Sequence, residues 1–297
     1  MAVVSQILTP EVLAARKPAG SLFRSALGLR RTQIGLVLTL LVLAIAFLGP
    51  RLAPHDPSAF VGTPSTASVP GTLFGTDHIG QDVWSRFLSG GLTILLLAAI
   101  STALGLILGI AVGLVSAYSR NLLDDILMRI MDVILAFPQI MLALVAIATV
   151  GPNPITIILA VGLTTMPRVA RVTRGATQPV VERDFVAAAE AIGVPRVRIL
   201  LSEIFPNILS PLLVEASLRL TYAVGVIAAL AFLGFTTNPG APDWGLMINE
   251  NRIALTVQPW GVVLPVAAIA LLTMGTGLIG DGIARAAAGI DRTRGAA

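Results

Sequence analysis

The residues able to do chemistry are few and unevenly placed. Cysteine is absent and the two histidines are His55 and His78, so disulfides, thiolate nucleophiles and Cys-ligated metals are excluded and little is left from which to build a His metal site. Asp132 and Asp281 are raw material for a carboxylate dyad, but no motif brings them together and both fall near the same ends of their helices. No His-Glu-x-x-His, Gly-x-Ser-x-Gly or Gly-x4-Gly-Lys-Ser/Thr pattern occurs, so zinc-protease, serine-hydrolase and phosphate-loop ATPase chemistry have no carrier. What remains are charges set among apolar residues. Glu215 and Arg219 lie four apart with the acid first, the favourable order for a helical ion pair. They either neutralise each other or line a path and meet a zwitterionic ligand. Arg129 and Asp132, three apart, read as structural. Asp281 is as well suited to capping or interface contact as to gating.

The elements that position these charges follow from composition. Of 297 residues, 55% are hydrophobic and 12% charged, about half the charge of a soluble domain. The net charge is only +4, which is no polybasic signature and argues against a nucleic-acid partner. Residues 32–50, 91–119, 133–167, 220–242 and 253–280 contain no Asp, Glu, Lys or Arg. About 20 apolar residues suffice to cross a bilayer. The run 133–167 is too long for one span and is divided by Gly151-Pro152-Asn153-Pro154, a turn that Gly and Pro chemistry forces. Six helices are therefore predicted, near 32–50, 92–118, 125–149, 153–176, 207–236 and 259–283. The first is read as a retained span: about 30 residues precede it and no small-x-small cleavage site follows Phe47.

Basic residues are retained on the cytoplasmic side, and here they cluster. Arg16, Lys17, Arg24, Arg30 and Arg31 precede the first span; Arg120 and Arg129 lie between the second and third. Arg168, Arg171 and Arg174 end the fourth, Arg183, Arg196 and Arg198 lie in the following loop, and Arg285, Arg292 and Arg294 follow the sixth. Only Arg51, Arg86 and Arg252 fall on the other side. Both termini are predicted inside, giving cytoplasmic tails at 1–31 and 284–297 around a transmembrane domain at 32–283, with outer loops 51–90 and 237–258 and an inner loop 178–206. Arg168, Arg171 and Arg174 recur every three residues on one helix face and are expected to fix topology and bind lipid headgroups. Gly105, Gly109 and Gly113 form a stripe on the second helix where another helix can approach closely, either within the bundle or at a seam with another subunit.

The inner loop carries a short amphipathic helix. Phe185, Val186, Ala188, Ala189 and Ile192 recur at helical spacing, Arg183, Asp184 and Glu190 occupy other faces, and Gly193 then Pro195 end it. Such a helix rests on lipid, packs beneath the bundle, or docks into a partner.

This loop resembles the Glu-Ala-Ala motif of bacterial ABC importer permeases, through Ala188, Ala189, Gly193 and Pro206, with Ala187 where the family usually has Glu. Further segments resemble the C-type permease of the dipeptide and oligopeptide group. These are LFGTDHIGQDVWSRFLSGG with Gly75, Thr76, Asp77, Gly80, Asp82, Val83, Ser85 and Arg86; DDILMRIMDVILAFP with Asp125, Arg129, Asp132 and Pro138; AFLGF with APDWGLMINENR; and LIGDGI. The resemblance spans residues 52–291. It implies an all-α polytopic membrane protein with the type I importer permease fold, six spans and both termini inside, in the bacterial cytoplasmic membrane. It further implies a peptide importer, with nickel, glutathione or haem as alternative solutes. The implied partners are a second homologous permease, two cytoplasmic ATPase subunits that bind ATP and Mg, and an extracytoplasmic solute-binding protein. This chain would hold no cofactor and catalyse no reaction itself. In that scheme Asp184, Phe185, Ala188, Ala189, Glu190, Gly193 and Pro206 couple to the ATPases. Glu215, Arg219 and Asp132 belong to the translocation path, where the ion pair would meet a zwitterionic peptide. Asp77, Asp82 and Arg86 dock the binding protein or plug the outer mouth. An intramembrane enzyme and a secondary transporter or channel are the competing classes; the latter would need inverted repeats or a central ion site, and neither is visible.

Overall fold

A computed structural model describes residues 24–119 and 121–288. Arg16, Lys17, Arg120, Arg292 and Arg294, with most of both tails, lie outside the described residues. Among the described residues there is no β-strand, only isolated bridges at Phe60–Gln81 and Thr76–Asp82. Helices dominate because a chain in hydrocarbon must satisfy its backbone polar groups within each segment.

In chain order the helices are α1 (Arg30–Leu52), α2 (Val83–Ser89), α3 (Gly91–Ser119), α4 (Leu122–Leu135), α5 (Gln139–Val150), α6 (Pro154–Val181), α7 (Asp184–Ala191), α8 (Leu209–Phe232), α9 (Trp244–Asn251) and α10 (Trp260–Ala288). Between α7 and α8 the backbone passes through Arg196–Arg198, a π-helical stretch Ile199–Ile204 and a 3-10 turn Phe205–Ile208. Pro206 stands in that turn, where its missing N–H is compatible with the start of a helix but not with its middle. Five helical stretches are long and apolar enough to cross a membrane, or six with the bent pair α4–α5.

The third span departs from expectation. Instead of one helix over 125–149, α4 and α5 meet at 82°. Pro138 lacks a donor and pushes Phe137 out of helical conformation, so α4 closes with the Ala136 N–H on the Asp132 carbonyl (3.0 Å) and α5 starts afresh after Pro138. The turn into α6 forms as predicted: Gly151 has φ +100°, and Asn153 accepts from the Thr156 N–H at 2.9 Å, with Pro154 at the first helical position. The fourth span then runs on past 176 to Val181, and the fifth ends at Phe232 rather than 236.

The closest helix pair is α3 with α6, and the glycine stripe explains it. A Cβ at Gly109 would fall 2.6 Å from the Val169 Cβ and 2.7 Å from the Met166 carbonyl oxygen, and one at Gly113 2.5 Å from the Ala170 carbonyl oxygen. The stripe therefore serves packing within the chain, and α6 leaves it no room for a seam with another subunit. A central core gathers Val42, Ile94, Ile147, Ile157, Val224, Ile227, Leu230 and Trp244 from six helices. A second core, Leu114, Val180, Val181, Val186, Ile199, Ile204, Ile208 and Leu212, closes the end that carries α7. The far end is the folded 51–90 segment against α9, an element absent from the sequence prediction for 237–258.

Candidate functional site

At the α7 end, local sequence builds a short helix with two working faces. Asp184 in the first turn complements the helix dipole, and the alanines favour helix throughout. Gly193, at φ +78°, ends it with a Schellman closure: the Val194 N–H meets the Ala189 carbonyl at 3.1 Å and the Gly193 N–H meets the Glu190 carbonyl at 3.0 Å. Val186, 1% exposed, plugs α7 into the second core, with Ala189 beside it. The Tyr118 hydroxyl donates to Glu190 Oε1 at 2.6 Å, tying the end of α3 to the same helix. The opposite face is open. Phe185, Ala188 and Ile192, spaced i, i+3, i+7, are exposed, Ile192 at 80%. Thus Phe185 and Ala188 stand on the free face with Asp184, Glu190 is committed to bracing, and Pro206 shapes the return to α8.

Within the membrane domain, Arg219 Nε lies 2.8 Å from Glu215 Oε1 on α8. The Arg219 guanidinium also sits over the Tyr222 ring at 5.1 Å. Both charges are largely buried, and they neutralise each other. Asp132 pairs with Arg171 across to α6, not with Arg129 and not with Asp281. The other two arginines of that row are also occupied. Arg168 donates to Gln139 Oε1 at 2.8 Å, and Arg174 grips Asp124 through Nε and Nη2 at 2.7 and 2.6 Å, with the Ser116 hydroxyl on the same carboxylate. One or two donors of each of these arginines thus face α4 and α5.

At the far end the 51–90 segment is knitted by its own charges. Asp77 accepts from the Gln81 and Ile79 N–H groups at 2.8 and 3.0 Å. Asp82 caps α2 through the Trp84 and Ser85 N–H groups and accepts from the Ser85 hydroxyl at 2.5 Å, with His55 Nδ1 3.2 Å away. Arg86 bridges Asp77 at 3.1 Å and Glu250 of α9 at 2.9 Å, and also donates to Gln81. His78 stands at the edge, 3.8 and 3.9 Å from the same two carboxylates. Asp77, His78 and Glu250 are close enough to share a metal ion, but the Arg86 guanidinium already supplies the positive charge between the carboxylates. Asp77 and Asp82 are fully buried and Arg86 is 2% exposed. These inward-facing side chains hold the segment together and, through Arg86, tie it to α9.

Glu250, Gln81 and Asn251, whose Oδ1 accepts from the His78 N–H at 3.0 Å, complete a cluster the sequence did not single out. The available signal was Asp243 after Pro242, a helix N-cap. Asp243 accepts from the Gly245 and Leu246 N–H groups at 2.9 and 3.2 Å and starts α9. Trp244 is then fully buried, its indole donating to the Phe87 carbonyl at 2.8 Å. Burial also pushes the Asp243 carboxyl up to about 6, against the two backbone N–H bonds, and burial pushes Glu250 up despite Arg86. A raised acid pKa means the native state holds the proton more tightly than the unfolded chain. That contribution is fully present below the ordinary carboxylate range and is lost as pH rises from there to about 6. Asp243→Asn keeps an acceptor for the cap and removes the buried charge. Its thermal midpoint in detergent is expected to vary less between pH 5 and pH 8 than that of the wild type.

A helical chain with five or six candidate spans among its described residues belongs to the class of multi-pass membrane proteins. The comparisons with known proteins specify which. The profile of the binding-protein-dependent transport system inner membrane component family matches residues 105–288, and the chain belongs to that family. It is 35% identical over 256 residues to the di/tripeptide transport system permease protein DppC of Pseudomonas aeruginosa, covering 84% of each chain. It is 31% identical over 282 residues to the dipeptide transport system permease protein DppC of Haemophilus influenzae, covering 93% of this chain and 96% of that one. The glutathione transport system permease protein GsiD of Pectobacterium atrosepticum is 32% identical over 246 residues, covering 82% of each chain. The protein is thus a multi-pass inner-membrane transport permease.

Proposed function

We propose that this chain forms half of the translocation path of an ATP-driven peptide importer and receives the power stroke through α7. The single observation that carries the reading is the outward apolar face of Phe185, Ala188 and Ile192 on a helix braced from behind by Val186 and by Tyr118–Glu190. A helix merely resting on lipid needs no such bracing, whereas a lever does. The reading places both termini and α7 in the cytoplasm, in accord with the arginine distribution. ATP and Mg belong to two partner ATPases, because this sequence has no phosphate loop. A homologous permease completes the path and a solute-binding protein delivers the ligand at the far end. Peptides are the substrate class by the names of the relatives, and glutathione, itself a tripeptide, is the second reading those names favour; nickel and haem remain the outer alternatives. Glu215 and Arg219 would meet the peptide's opposite charges by exchanging partners with it. Asp132 would act in the path through Arg171.

The test is uptake of labelled di- and tripeptides into cells lacking the gene and complemented with variants. Ala188→Asp or Gly193→Trp, both on the free side of the loop, are expected to leave membrane insertion intact and reduce uptake at least about tenfold, the cost of roughly 1.4 kcal/mol of coupling. Wild-type uptake by both variants would sink the role of α7. A deficit confined to glutathione, nickel or haem would keep the permease and replace the substrate.

A further inference from the structure

The half-span α4 is attached to the bundle with almost no burial. Of Leu122–Leu135 only Met131 is buried, while Leu122, Ile126, Ile130 and Val133 are exposed. A cleft of about 540 Å³, lined by Asp125, Met128, Arg129, Asp132, Val133 and Ala136, lies open along it. Its attachments are polar instead. Arg174 holds Asp124 with two donors, Arg171 holds Asp132, and one turn further along α6 Arg168 holds Gln139. The arginines are three residues apart on α6, a continuous helix that accommodates Pro167 and Pro179. Their partners lie on both sides of the break at Phe137-Pro138, two on α4 and one at the start of α5.

The same helix leads straight into the coupling element. Only Glu182 and Arg183 separate α6 from α7, and Val180, Val181 and Val186 share one buried cluster, so α6 and α7 form one packed body. We propose that the arginine row is the linkage that carries displacement of α7 to both halves of the bent span, with Arg168 and Arg171 as positioning residues of the transport cycle. This rests on the coupling reading of α7. Guanidinium hydrogen bonds are directional, and the fork of Arg174 on Asp124 fixes distance as well, while the near absence of apolar burial leaves α4 little to hold it against rotation about the break. A static brace would be packed as α3 is packed on α6. Here the attachments can transmit a pull, and Pro138, without a donor, leaves no helical hydrogen bond across the corner to resist it.

Because the chain has no cysteine, two labels can be introduced without background. Ile130→Cys on α4 and Val145→Cys on α5, both exposed, would carry spin labels in the full complex, reconstituted with its ATPases and binding protein. In the wild type the label distance is expected to shift when ADP and vanadate are trapped. With Arg168→Met and Arg171→Gln the shift is expected to disappear and peptide uptake per ATP hydrolysed to fall about tenfold, while the ATPases still co-purify. Exchanging the charges, Arg171→Asp with Asp132→Arg, is expected to restore the shift and covers the case in which the first variant fails to assemble. A wild-type distance that ignores trapping, or a double variant that shifts like the wild type, overturns the linkage. An assembled charge exchange without a shift does the same. Failure of the wild type to retain its ATPases would instead overturn the coupling reading itself.

Discussion

Arg86→Met is expected to lower stability by about 3–5 kcal/mol, the cost of removing one member of a buried ion pair and leaving the other charge unpaired. Two carboxylates depend on this guanidinium, Asp77 at 3.1 Å and Glu250 at 2.9 Å, and the fully buried Asp77 cannot turn to water without unfolding the segment that it also holds through the Gln81 and Ile79 N–H groups. Methionine fills the volume but supplies no donor. The measurement is the thermal midpoint of the purified protein in detergent, together with its level in the membrane. Adding Glu250→Gln to Arg86→Met should recover part of the loss, since one of the two stranded charges is then gone. A midpoint equal to wild type for Arg86→Met alone would show that the cluster is solvated and that the 51–90 segment is not held by it.

Gly109→Leu is expected to have a comparable or larger effect by a different route. Overfilling a packed core costs about 1–3 kcal/mol when side chains can give way. Here the first atom added already meets the Met166 carbonyl oxygen at 2.7 Å and the Val169 Cβ at 2.6 Å, and a carbonyl of a regular helix cannot yield without moving the helix. Separating α3 from α6 would also strain the Tyr118–Glu190 contact by which α3 braces α7. Failure to accumulate as a monodisperse species after detergent extraction is therefore the expected result, with Gly109→Ala intermediate. A well-behaved Leu variant would mean that the two helices lie further apart than described.

Much of the fold was legible because hydrocarbon imposes simple demands. Uncharged runs of sufficient length located the spans, and Gly151-Pro152-Asn153-Pro154 divided the longest run where α5 and α6 part. Helix α7 was equally readable, because Asp184, the alanines and Gly193 are local start, interior and stop signals that need no tertiary context. The break at Pro138 was visible as a residue but not as a corner. A proline within an apolar run either kinks a span or ends it, and the choice was made by α4 being held to α6 through Asp124 and Asp132. For the same reason the spacing of Arg168, Arg171 and Arg174 revealed a shared face but not the residues of α4 and α5 that it meets. Asp77, Asp82 and Arg86 stood out in the sequence as charges, yet their partners His55 and Glu250 come from elsewhere along the chain. Periodicity carries no information about contacts of that kind, and α9, short and flanked by Pro and Gly, offered only the Asp243 cap.

The most direct test of the account is peptide uptake into proteoliposomes containing the reconstituted complex, with ATP enclosed on the α7 side and the binding protein on the other. Uptake that needs ATP, both partners and this chain, and that stops with Gly193→Trp while the ATPases stay bound, is the expected result. Uptake by this chain without ATPases, or ATP-driven uptake indifferent to Gly193→Trp, would contradict the claim that α7 converts ATP hydrolysis into movement of the path.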